Sequence, residues 1–197
     1  MNNTISYYND NAKEYFKNTI NGNMQLSYDK FLKGIPKEGY ILDFGCGSGR
    51  DSIYFIENGY KIKAIDGSLE LCLIAEKILN HKVEHMYFSD LNDKDVYDGI
   101  WCCASILHLN KNEFIEILKK MIDSLKIEGI MYISFKNGIG EEVIDGRYFK
   151  YYTIDQFIDI INSFSCLKIL DIYITTSTTN INEKRNWNNF ILKKVKK

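Results

Sequence analysis

The run Tyr40–Arg50, Y-I-L-D-F-G-C-G-S-G-R, constrains the fold more than any other stretch of the chain. Tyr40, Ile41 and Leu42 are a short apolar run of strand type. Gly45, Cys46, Gly47, Ser48 and Gly49 then let the backbone turn sharply and approach a ligand with few side chains in the way. A strand that ends in such a turn and enters a helix offers free N–H groups to a nucleotide-type ligand. Residues 51–58 predict that helix, closed by Gly59, and Tyr60–Ile65 return as the next strand, completing a βαβ unit. Asp66 ends the second strand about 20 residues beyond the glycines, where an acid meets ribose hydroxyls in such units.

The glycine spacing departs from the dinucleotide fingerprint: Arg50 stands where its third glycine would be, and the glycine sits one residue early. A pyrophosphate is therefore not the favoured ligand. With Asp43 two residues before Gly45, the pattern D-x-G-x-G-x-G resembles motif I of the class I S-adenosylmethionine-dependent methyltransferases. The resemblance implies an α/β, Rossmann-like fold, with a mostly parallel sheet, an antiparallel C-terminal strand and helices on both faces. It also implies S-adenosylmethionine as cofactor. The cofactor-binding set it implies is Asp43, Gly45, Cys46, Gly47 and Arg50 in the first turn, and Asp66, Gly67 and Ser68 after the second strand. To these it adds Asp90 and Leu91 after the third strand, Cys103 and Ala104 at the end of the fourth, and Tyr15 from the N-terminal segment. Asp90 would bind the adenine amino group, with an ordinary helix cap as the alternative.

The rest of the chain fits one domain over residues 1–197. Residues 5–34 read as two helices broken at Asn21, Gly22 and Asn23. The resemblance implies that residues 1–35 form a lid, the alternative being an aromatic face packed on the sheet. Ser68 caps a predicted helix Leu69–Leu79, and Val83–Phe88 and Tyr97–Ala104 read as strands, the latter apolar enough for a sheet centre. Asn110 caps a helix Glu113–Leu125, and Ile130–Phe135 is a strand leading into a decorated loop over residues 136–152. A helix Thr153–Ser165 precedes strands Leu167–Thr175 and Asn188–Val195. With no crossover helix between them, these two pair antiparallel.

A net charge of −1 provides no basic field for a phosphate backbone, so nucleic acid is not required; the one dense run, Lys193, Lys194, Lys196 and Lys197, reads as solvated lysines at a chain end. Five cysteines, odd in number and off framework spacing, read as reduced thiols, and no zinc-type spacing occurs, so no metal is expected. The N-terminus lacks signal-peptide character and no run reaches the roughly 18 apolar residues of a membrane span, so the expected location is cytoplasmic. Nothing in the sequence sets an oligomeric state.

Methyl transfer from a sulfonium is an in-line displacement, so the chief demand is to hold the nucleophile about 3 Å from the methyl carbon. The candidate bases near strand ends are His108, Tyr148, Tyr151 and Tyr152; His108, in S-I-L-H-L after the fourth strand, is the first choice, against the alternative of a histidine bonded to backbone beside a helix start. Arg147 and Tyr148 are candidates for holding the acceptor, with Arg147 paired to a loop acid as the alternative. The segments D-F-G-C-G-S-G-R-D and G-R-Y-F-K-Y-Y-T are similar to those of bacterial small-molecule members of tellurite-resistance and thiopurine type. The resemblance thus implies a small-molecule acceptor. A tRNA wobble-uridine methyltransferase and a non-catalytic cofactor-binding module remain as alternatives.

Overall fold

The computed structural model describes residues 2–178 and 184–196. Three N-terminal helices, α1 (Asn2–Asp10), α2 (Ala12–Thr19) and α3 (Gln25–Leu32), replace the two expected. Asn11 breaks the first with φ −111° and ψ 15°, a distortion that needs neither glycine nor proline. The βαβ unit follows as β1 (Tyr40–Phe44), α4 (Arg50–Glu57) and β2 (Lys61–Asp66). Next come α5 (Leu69–Leu79), β3 (Val83–His85), β4 (Tyr97–Cys102), α6 (Lys111–Ser124) and β5 (Leu125–Lys136). The third strand is shorter than expected because a 3-10 turn, Phe88–Asp90, takes over its end.

The segment expected as a loop after β5 is a β-hairpin, β6 (Glu141–Ile144) and β7 (Arg147–Lys150), antiparallel with Val143 opposite Tyr148. Asp145 and Gly146 make its turn at φ +50° and +79°, the left-handed pair a two-residue hairpin requires. Helix α7 (Ile154–Asn162) then opens on the anticipated capping box of Thr153 and Gln156, and β8 (Leu167–Thr178) and β9 (Lys184–Lys194) finish the chain.

The seven-stranded sheet has the order β3-β2-β1-β4-β5-β9-β8. Its first five strands are parallel, and β9 runs antiparallel to both β5 and β8. The reversed C-terminal strand anticipated from the sequence is therefore present, inserted between β5 and β8. Alternation along the central strands divides the core. Leu42, Phe44, Ile100 and Cys102 pack with α6 and α7, while Ile41 and Trp101 pack on the opposite face with Phe31 of α3 and Phe55 of α4. Because β2, β1 and β4 are neighbours, Asp66, the glycine turn and Cys103 meet at one edge, where parallel α/β sheets bind ligands. Among the described residues no helix is long and apolar enough to cross a membrane.

Candidate active site

A cavity of about 660 Å³, counted out to its mouth, lies at that edge. Its floor is the glycine turn. Gly45 and Cys46 donate their N–H groups to the Ile65 carbonyl at 3.0 and 2.9 Å, which ties the turn to the end of β2. Gly45, Gly47 and Gly49 have φ of +89°, +53° and +80°, and a Cβ on Gly45 would lie 2.5 Å from Cβ of Ser105. Bare backbone is thus required by both torsion and space.

Asp66 stands at the cavity wall and accepts from the N–H of Gly47 at 2.9 Å and of Ser68 at 2.8 Å. Burial pushes its carboxyl up from the ordinary value, and those two N–H groups oppose the shift. Each oxygen keeps acceptor capacity beyond its single backbone bond, enough for a pair of ligand hydroxyls.

Of the residues expected at the cofactor, Tyr15, Gly45, Gly47, Asp66, Gly67, Cys103 and Ala104 line this cavity, and so does His108. Ala104 holds a left-handed φ of +51° there, with its N–H on Ser134 Oγ at 2.9 Å. A non-glycine residue pays for that conformation, and such strain gathers at working sites.

The other expected residues sit behind the wall. Asp43 is buried and accepts from Ser52 Oγ at 2.6 Å, bracing the start of α4. Arg50 closes its fork on Asp51, with Nε at 2.6 Å from one oxygen and an Nη at 2.9 Å from the other. Tyr28 Oη at 2.5 Å and Trp101 Nε1 at 2.8 Å also donate to Asp51. Burial alone would push Asp51 up; the Arg50 charge and these donors outweigh it and bring its carboxyl below the usual range. Arg50 touches the cavity lining through Cys103, whose Sγ is 3.6 Å from an Nη.

Cys46 turns its thiol into the core, and Leu91 is core as well. Ser68 caps α5 through Leu71 N and gives its hydroxyl to Asn9 of α1 at 2.8 Å. Asp90 takes the capping alternative, accepting from Tyr87 N at 3.3 Å and Ser89 Oγ at 3.2 Å. Tyr148 sends its side chain outward, donating to Glu141 at 2.7 Å; only its backbone serves the site, with its carbonyl on His108 Nδ1. Arg147 lies outside the wall, stacked on Tyr7 of α1 at 4.0 Å and paired with Asp145 at 3.3 Å.

Residues that sequence reading did not place at the site complete the enclosure: Thr4, Ile5 and Tyr8 of α1, together with Leu71, Tyr87, Phe88, Ser105 and Leu109. The aromatic spacing of α1 was visible in the sequence. Its approach to His108, 100 residues away, is a tertiary contact that no local pattern encodes.

Asp43 yields a pH prediction. Burial, then the nearby Asp51 charge, pushes its carboxyl up to about 8. Between the unfolded value near 4 and that raised value, the folded state holds a proton that the unfolded chain has lost. Stability from this group is therefore complete below about pH 4 and lost as the pH climbs through about 8. Urea unfolding between about pH 5 and 8 is expected to show stability falling more steeply in wild type than in Asp43→Asn. Identical slopes would remove the assignment.

The family described as "Methyltransferase domain" matches residues 41–129. YqeM of Bacillus subtilis (strain 168), whose name assigns it provisionally to the methyltransferases, is 33% identical over 115 residues, covering 53% of this chain and 47% of YqeM. The chain thus spans about half the length of that curated relative. Among solved structures, the 1,6-didemethyltoxoflavin-N1-methyltransferase of Burkholderia thailandensis is 17% identical and superposes with a TM-score of 0.76 over 98% of this chain and 85% of its own. TehB from Haemophilus influenzae, also 17% identical, gives 0.71 over 93% and 67%. At such identities the two structures speak for the fold alone. Residues 41–129 thus match a methyltransferase domain, and the sheet with its reversed β9 shares its fold with the solved toxoflavin methyltransferase.

Proposed function

We propose that the chain binds S-adenosylmethionine in the cavity and transfers its methyl group to a small molecule held on the His108 side. The observation that carries this is the meeting of Asp66, the bare backbone of Gly45 and Gly47, and the roof of α1 and α2 around one cavity. In this reading the carboxylate of Asp66 takes the ribose hydroxyls, and the segment before β1 is a lid. Its covering part is α1 and α2, since α3 is packed into the core through Tyr28 and Phe31. The cofactor supplies an electrophilic methyl on a sulfonium. The protein excludes water and aligns the acceptor, and such positioning is worth roughly 7–11 kcal/mol.

His108 suits alignment better than proton removal. Burial, with the charges of Arg147 and Lys136 adding to it, pushes its ring down to about 4 despite the Tyr148 carbonyl, too weak a base for efficient transfer near neutrality. Arg147 has its Nε buried with no hydrogen-bond partner, beside the aromatic rings of Tyr7 and Phe149, and we assign it to an anionic or planar acceptor. The small-molecule reading is supported by the concave cavity and by the toxoflavin enzyme, whose structure holds S-adenosylhomocysteine and 1,6-didemethyltoxoflavin. Cytoplasmic location belongs to the same reading, since five unpaired thiols suit a reducing compartment.

Incubating the protein with methyl-labelled S-adenosylmethionine and a fractionated cell extract tests the function. Label is expected in small metabolites. Label in tRNA would replace the acceptor class, and label nowhere would favour a binding module.

A further inference from the structure

The direction of one hydrogen-bond chain decides what the cavity offers a ligand. His108 Nδ1 is 2.7 Å from the carbonyl oxygen of Tyr148. A carbonyl can only accept, so Nδ1 carries the hydrogen. The ring is neutral near pH 7, since burial pushes it down to about 4, and Nε2 is therefore bare. Nε2 lies 2.8 Å from Tyr8 Oη and can only accept, so the Tyr8 O–H points at His108. That proton is firmly held: burial pushes the Tyr8 phenol up to about 12, against the charge of Arg147 and a hydrogen bond from its guanidinium.

Both protons in the sequence Tyr8, His108, Tyr148 carbonyl are thus committed within it, and the Tyr8 oxygen is left with lone pairs only, one of them facing the Arg147 guanidinium. Tyr8 and His108 line the same cavity as Gly47 and Asp66, and the Tyr8 ring sits edge-on to Tyr15 at 5.2 Å, next to the glycine turn. We propose that Tyr8 is a specificity-determining residue that selects acceptors bringing an N–H or O–H to its phenol oxygen, at or beside the reacting atom. The proposal rests on the methyltransferase reading above and narrows its acceptor class. A similar molecule without such a donor leaves the remaining lone pair of the Tyr8 oxygen desolvated and without a partner.

The test uses the full chain loaded with S-adenosylhomocysteine and two probes of one ring system, benzimidazole with an N–H and 1-methylbenzimidazole with a methyl in its place, titrated by ligand-observed NMR; the Tyr8→Phe comparison separates the added methyl from the lost donor. Wild type is expected to prefer benzimidazole by about threefold to tenfold, the worth of one neutral hydrogen bond. In Tyr8→Phe the ring still screens Nε2 while the oxygen is gone, so the ratio is expected to fall to about one. Equal binding of both probes to wild type, or a preference that survives in Tyr8→Phe, overturns the proposal. Long-range proton–nitrogen NMR of His108 is expected to show hydrogen on Nδ1 and a bare Nε2, and hydrogen on Nε2 overturns the proposal whatever the probes do. Failure of wild type to bind S-adenosylhomocysteine overturns the methyltransferase reading instead, while the His108 spectrum still decides the direction of the chain.

Discussion

Asp66→Ala is expected to bind S-adenosylmethionine about a hundredfold or more weakly than wild type. In the proposed complex the carboxylate accepts both ribose hydroxyls, and hydrogen bonds to a charged acceptor are worth about 1.5–3 kcal/mol each. Losing two therefore costs roughly 3–6 kcal/mol, and each 1.4 kcal/mol or so is a factor of ten. The substitution also releases the N–H groups of Gly47 and Ser68, which the same carboxylate holds at 2.9 and 2.8 Å, so the turn loses its brace. Asp66→Asn keeps one acceptor oxygen and is expected to fall between the two. Calorimetry on variants whose circular dichroism matches wild type makes the comparison. Undiminished affinity in Asp66→Ala would move the ribose elsewhere.

Gly45→Ala is expected to lower stability by about 2–6 kcal/mol. A non-glycine residue in a sparsely populated region costs on the order of 1–3 kcal/mol, and overpacking adds about 1–3 more. Both apply at Gly45, with φ +89° and Ser105 Cβ at 2.5 Å from the added carbon. Ser105 cannot step aside freely, because its hydroxyl donates to the Phe44 carbonyl at 2.6 Å. Gly59, with φ +84° and nothing within 4 Å of an added Cβ, separates the two costs. Gly59→Ala should show the backbone cost alone, and thermal melting of Gly45→Ala should fall below it by several degrees, at about 2–4 °C per kcal/mol for this chain length. Equal melting of the two variants would show that the close approach to β4's end is not there.

The cofactor half of the fold was legible because its signals are local. An apolar run, a glycine turn, a helical segment and an acid at the next strand's end occupy fewer than thirty consecutive residues. The hairpin after β5 was also written locally, in the Asp145-Gly146 pair between E-E-V-I and R-Y-F-K, but its charged and aromatic side chains drew attention from its two-residue turn. That turn sets the strand parity that buries Phe149 and sends Tyr148 outward to Glu141, so a loop reading could name Tyr148 as a candidate without showing which way its side chain faces. The setting of Arg50 was hidden for a different reason. A guanidinium beside a cofactor turn looks like a ligand, yet its nearest acid is the next residue, and only the fold shows Tyr28 and Trp101 converging to hold that acid in place. Tyr8 is a member of an ordinary aromatic face until the chain folds it against His108.

The ties between α1 and the hairpin carry a consequence for how selectivity can change. Thr4 Oγ1 accepts from the N–H of Tyr148 at 3.2 Å, and Tyr7 lies under the guanidinium of Arg147. Both stretches fall outside residues 41–129, one before and one after. In the proposed reading the acceptor side is built from two distant passages of chain that fit each other, while the sheet between them serves the cofactor. A new preference written into only one passage would break its fit to the other; such changes have to arrive in pairs.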